Sequence, residues 1–111
     1  MFTPGPQSRA LVAAERPYIA PGLQRIAQLS QLAFESGTGC TLKDVDGNEY
    51  LDFFAGVAVA SIGHSHPRYV AALTEQLQRL TVGSFTSAAR AKLLKRLAAL
   101  APGALNRTQL Y

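Results

Sequence analysis

The stretch GTGCTLKDVDGNEYLD, residues 37–52, decides how the rest of the chain is read. Asp46 and Gly47 lie between two strand-like runs, and a glycine at that position takes the positive φ that a tight hairpin requires. Asp44, Asp46 and Asn48 have the alternate spacing of a calcium loop. That loop needs glycine at its sixth position and a bidentate glutamate at its twelfth, where this chain has Glu49 and Ala55. Turn chemistry accounts for these residues instead. Gly37-Thr38-Gly39 has Leu42 where a dinucleotide fingerprint needs its third glycine, and no Gly-Lys-Ser/Thr phosphate loop occurs.

Upstream, residues 1–7 are turn-rich and expected to be loose. Ser8 to Glu15 suits a short helix with Ser8 as its cap, ended by Pro17. Pro21-Gly22 is a second breaker. Leu23, Ile26, Ala27 and Ser30 fit a helix, whereas Leu32 and Phe34 alternate with Ala33 and Glu35, which places a strand near Leu32 to Ser36.

Downstream, Phe53 to Ile62 is apolar with many small residues and reads as a buried, closely packed segment of undecided secondary structure. Its ten residues fall well short of the roughly 20 that cross a bilayer. His66-Pro67 opens a helix with His66 at the cap and Pro67 in the first turn. Val70, Leu73, Leu77 and Leu80 form its apolar stripe, with Glu75, Gln76 and Arg79 facing away. A second helix follows the loop Ser84 to Ser87, with Leu93, Leu94, Leu97 and Leu100 as its stripe and Pro102-Gly103 as its stop. Thr108 to Tyr111 reads as the beginning of a strand, so the chain looks cut.

The 111 residues suffice for one modest core. They are 48% hydrophobic and only 16% charged, against roughly 25% charged in ordinary soluble domains. Such a chain needs a partner surface. Charge is uneven: residues 1–75 hold five basic and seven acidic side chains, residues 76–111 six basic and none acidic. The basic residues are spread over two helical patterns without aromatic platforms, which argues for a solvated face and against nucleic acid. A single cysteine, Cys40, excludes an internal disulfide and is read as a small buried apolar residue in a reducing compartment. The N-terminus has Pro4 and Pro6 where a secretory signal needs an apolar core, and Arg9, Arg16 and Arg25 only faintly suggest a transit peptide. The expected location is cytoplasmic, with no membrane partner.

Candidate chemistry is sparse. His64 and His66 share a face if extended, but two ligands are too few for zinc, so cap or packing roles are expected and no metal site is assigned. No Gly-x-Ser-x-Gly elbow occurs. A Schiff-base lysine needs burial to lower its pKa, and Lys43, Lys92 and Lys95 fall in a hairpin arm or on the polar side of a helix. No catalytic residue and no cofactor-binding residue is assigned.

The string Gly37-x-Gly39-x-x-Leu42-x-Asp44-x-Asp46-Gly47-x-x-Tyr50-Leu51-Asp52, followed by Gly63-His64-x-His66-Pro67, resembles the N-terminal region of class III (ω-amino) aminotransferases. The resemblance spans Leu32 to Leu80, and the helices up to Pro102-Gly103 fit the same layout. It implies an α/β fold, the N-terminal part of a fold-type I transferase dependent on pyridoxal 5′-phosphate (PLP). Residues 1–62 would be the N-terminal segment of the small domain with its hairpin, and residues 63–111 the helical start of the large cofactor-binding domain. The implied reaction moves an amino group from an amino acid or ω-amine donor to a 2-oxo acid, in a homodimer, with PLP as the electron sink. The family's phosphate-binding turn and imine lysine would follow Tyr111, so residues 1–111 alone are expected to be inactive. Carried over residue by residue, Val57, Phe85 and Thr86 would line the substrate channel, with core packing an open reading for Val57 and Phe85. The alternative is a small non-catalytic module that pairs with a complete aminotransferase subunit.

Overall fold

The structure, a computed structural model, describes residues 3–20, 22, 25–81 and 84–110. Its contacts divide the chain into two units, residues 1–72 and 73–111.

The first unit begins with helix α1 (Pro6–Glu15), which runs into a 3₁₀ turn (Arg16–Tyr18). The helix starts two residues earlier than Ser8 because Pro6 occupies the first helical turn, where its fixed φ fits and its missing N–H is not needed. Ser8 is therefore not the cap. Gly5 holds that position without a side-chain bond of its own, and Ser8 is fully buried. Helix α2 (Arg25–Ser30) follows, while Leu23 and Pro21, assigned above to its start and to a breaker, lie outside the described residues.

Three strands, β1 (Phe34–Thr38), β2 (Thr41–Asp44) and β3 (Glu49–Leu51), form an antiparallel sheet in the order β1-β2-β3. The hairpin expected around Asp46-Gly47 joins β2 to β3, with Leu42 opposite Tyr50 and Gly47 at φ 89°. A second hairpin precedes it. Thr38 pairs with Thr41 across Gly39-Cys40, and this two-residue turn sets the register of β1. The strand therefore lies at 34–38, two residues later than alternation alone suggests, with an irregularity between Phe34 and Ser36. Cys40, at the tip of that turn, is exposed and not a packed apolar residue. Phe34 meets Tyr50 edge to face across the sheet, ring centroids 5.6 Å apart.

Residues 53–62 are not buried. Phe53 is 94% exposed, and Phe54, Val57, Val59 and Ile62 are exposed as well. Their composition suits burial, but the described chain offers no surface that covers them. The segment contains one helical turn, α3 (Ala55–Ala58), and helix α4 (Pro67–Leu77) starts at the proline, as its placement after His66 requires.

The second unit contains the last turns of α4 and helix α5 (Ala88–Leu100). Gln76 donates from its side-chain nitrogen to the Leu80 carbonyl at 2.8 Å, closing the end of α4. Ser87 caps α5 by accepting from the Arg90 N–H at 3.2 Å, and the helix ends at Ala101, ahead of Pro102-Gly103. Residues 108–110 are not a strand. They have no regular structure and no pairing edge, and Tyr111 lies outside the described residues.

Among the described residues no hydrophobic side chain is buried, and the fully buried side chains are two polar ones, Ser8 and Asp44. The interior of the first unit is thus a hydrogen-bonded knot rather than an apolar core.

Candidate functional site

Asp44, at the end of β2, organises the first part of this knot. Its carboxylate accepts from the backbone N–H of Asp46 (3.0 Å) and Asn48 (2.8 Å), from the Asn48 amide (2.9 Å) and from the Tyr50 hydroxyl (2.7 Å). Burial pushes its pKa upward, but the bonds from Asn48, Tyr50 and the two backbone groups outweigh that and hold it below the ordinary carboxylate value. Burial, and then the bond to Asp44, pushes the Tyr50 phenol up to about 12. Of the residues that mimic a calcium loop, Asp44 thus spends its oxygens on its own turn and on Tyr50.

Asp46 points the other way and caps α1. Its two carboxylate oxygens accept from the Gln7 and Ser8 N–H groups, each at 2.8 Å, across 39 and 38 residues of sequence. A helix without a local cap therefore takes one from the hairpin. Burial raises the Asp46 pKa, and the bonds from Ser8 and Gln7 bring it below its ordinary value.

Asp52 and His64 form the second part. Asp52 Oδ1 accepts from the N–H groups of Phe54 (2.9 Å) and Ala55 (2.8 Å), while its Oδ2 lies 2.6 Å from His64 Nε2. His64, by its side-chain bond above all, and the Ala55 N–H hold the Asp52 carboxyl below its ordinary pKa. With that carboxylate ionised, the ring bond requires its proton on Nε2. The His64 backbone pairs with Gly39 in both directions, at 2.9 and 2.8 Å. Gly37 makes this approach possible, since a Cβ there would stand 2.9 Å from the His64 Cβ and Cγ. The glycines, Asp52 and the Gly63-His64 pair of the motif string are thereby joined into one scaffold.

Asp52 and His64 bracket the segment that carries Val57. Within it Ala55, Gly56, Val57 and Ala58 all have positive φ, between 49° and 65°, so α3 is a left-handed turn. Such a conformation costs each L-residue other than glycine roughly 1–2 kcal/mol. Bonds from the Val57 and Ala58 N–H groups to the Phe54 carbonyl (3.0 and 3.1 Å) and from Ala60 to Ala55 (2.9 Å) close it. Val57 is 76% exposed at its surface, which leaves it outside any core of the described chain. Phe85, 74% exposed, and Thr86, also exposed, belong to the loop before α5 in the second unit. Lys43, Lys92 and Lys95 are all exposed.

Sequence reasoning missed the Asp46 cap and the Asp52–His64 bond. The signals for them were indirect: a helix start at Gly5-Pro6 without a capping side chain, and a side-chain-free gap at Gly37 facing a histidine.

The aminotransferase class-III family model matches residues 24–110. The acetylornithine aminotransferase of Methanothermobacter thermautotrophicus is 37% identical over 97 residues, covering 86% of this chain and 24% of that protein. The alanine/serine racemase of Pyrococcus horikoshii is 33% identical over 102 residues, 89% of this chain and 21% of the relative. An ornithine aminotransferase structure from Toxoplasma gondii, whose active site holds PLP at partial occupancy, superposes with a TM-score of 0.71 at 32% identity, over 84% of this chain and 21% of that one. The chain belongs to the class III aminotransferase family and has the fold of the N-terminal part of a fold-type I enzyme. It spans about a quarter or less of the length of these relatives.

Proposed function

We propose that this chain is the N-terminal portion of a PLP-dependent aminotransferase that moves an amino group from an amino acid or ω-amine donor to a 2-oxo acid. The observation that carries this reading is the docking of His64 on the Gly37-Gly39 hairpin within the stretch that matches the family. Residues 1–62 then belong to the small domain and residues 63–111 to the start of the large one. The exposed apolar side chains of both units favour assembly with further protein surface, in a homodimer. A cytoplasmic location accords with a single exposed cysteine.

PLP supplies an electron sink to such enzymes when it is bound. The side chains described here do not fit the holding of it. An imine lysine needs a desolvated setting that lowers its pKa, and Lys43, Lys92 and Lys95 all stand in water. What this chain offers the reaction is positioning: Val57 on the substrate side, carried in the first unit by the scaffold of Asp44, Asp46, Asp52 and His64, and, in the second unit, Phe85 and Thr86 as further substrate-side residues. A racemase among the relatives supports this division of labour, since one scaffold there accompanies a different reaction.

The test compares two preparations. Residues 1–111 mixed with PLP are expected to give no imine absorbance band and no amino transfer. The full-length protein is expected to give both with an amino acid donor and a 2-oxo acid. A stable band from residues 1–111 would assign a catalytic role to one of its three lysines, and a full-length protein that racemises without transferring would replace the proposed reaction.

A further inference from the structure

We propose that Asp52 and His64 act as positioning residues for substrate selection, by clamping the left-handed turn Ala55–Ala58 so that Val57 faces a fixed direction. The inference rests on the substrate-side reading of Val57 given above.

The geometry is that of a clamp closed at both ends of one segment. Asp52 stands immediately before the segment and His64 at its far end, and their side chains meet at 2.6 Å. One oxygen of Asp52 is used by His64. The other accepts from the Phe54 and Ala55 N–H groups, which lead directly into the turn. His64 is itself anchored by two backbone bonds to Gly39, so the clamp is tied to the sheet rather than to the segment it holds.

The turn needs such a restraint. Ala55, Val57 and Ala58 occupy a backbone region that L-residues leave when they are free to do so, and a β-branched valine is the least suited of them. Bonds within the turn run to Phe54 and Ala55, the residues whose own N–H groups Asp52 holds. Losing the Asp52–His64 bond therefore releases the base of the turn and, with it, the direction of the valine side chain. Strained backbone persists where the surroundings over-determine it. Here one carboxylate and one imidazole supply that restraint, beside the turn's own backbone bonds.

The test uses the full-length protein and three single variants. His64→Leu removes the ring donor, His64→Gln keeps an N–H near the Nε2 position, and Val57→Ala trims the presented side chain. Selectivity is read as the ratio of kcat/KM for L-alanine to that for L-ornithine as amino donors. Val57→Ala is expected to change this ratio about tenfold, the scale for a small change in pocket bulk. His64→Leu is expected to change it comparably, His64→Gln to restore most of it, and Val57→Ala/His64→Leu to change it no more than either single variant. Amide hydrogen exchange at Phe54 and Ala55, which needs no activity, is expected to be at least about tenfold faster in His64→Leu than in His64→Gln.

Unchanged exchange in His64→Leu, equal behaviour of the Leu and Gln variants, or additive effects in the double variant would overturn the clamp. If Val57→Ala leaves the ratio unchanged while exchange at Phe54 and Ala55 still quickens in His64→Leu, the substrate-side reading of Val57 has failed. The selectivity role falls with it.

Discussion

Asp44 illustrates how much one buried carboxylate organises. It takes four hydrogen bonds from three residues, and the Tyr50 hydroxyl depends on it in turn. Tyr50→Phe removes a bond to a charged group and is expected to lower stability by about 1.5–3 kcal/mol, measured by denaturant unfolding of the full-length protein. The pH dependence has a definite sign. The phenol is raised from 10.0 to about 12, so its contribution is complete below pH 10 and is lost as pH rises towards 12. The carboxyls of Asp44, Asp46 and Asp52 are lowered from 3.8, so their contributions are present above that value and are lost as pH falls below it. Tyr50→Phe should flatten the alkaline limb of a stability–pH curve and, by removing one of the bonds that lower Asp44, also shrink the acid limb in part, leaving the Asp46 and Asp52 contributions in place.

At the scale of elements, the left-handed turn of residues 55–58 has a consequence opposite to that of most loop substitutions. Val57 holds φ 65°, a conformation open to glycine at no steric cost. Val57→Gly is therefore expected to stabilise the fold by about 0.5–1 kcal/mol, the relief of strain exceeding the extra freedom of the unfolded chain. A chemical melt resolves a gain of that size, and a loss would show that the turn is not strained. The hand of this turn was not legible in the sequence, because Ala55-Gly56-Val57-Ala58 carries no signal for positive φ except one glycine. Helices α4 and α5 were legible, since Pro67 and Ser87 fix their starts and leucines recur at helical spacing. The hairpin at Asp46-Gly47 was equally plain. The start of α1 was misjudged because its cap, Asp46, lies in another element, and local reasoning looked to Ser8. The scaffold was thus readable as a string of motif residues, while the bonds that join them were not, being contacts between positions far apart in sequence.

For the whole chain, the decisive quantity is apolar surface. No hydrophobic side chain is buried among the described residues, although nearly half the sequence is apolar. Residues 1–111 on their own should bind an apolar dye strongly and self-associate as concentration rises, whereas the full-length protein should do neither. Dye fluorescence and sedimentation at several concentrations test this. Weak dye binding and a monomeric short chain would mean that the exposed side chains cover one another. Composition alone implied the need for a covering surface. It gave the wrong account of residues 53–62, because an apolar segment is buried only where something lies over it.

The cap that Asp46 gives to α1 also bears on synthesis at the ribosome. Residues 6–15 emerge from the ribosome ahead of residue 46, and ten residues make a marginal helix in water. At ordinary elongation speeds the 38-residue gap corresponds to about two to eight seconds. For that interval the emerging arm lacks the partner that would settle it. Slowing or speeding translation while residues 16–46 emerge would change how long this arm is open to chaperones and proteases.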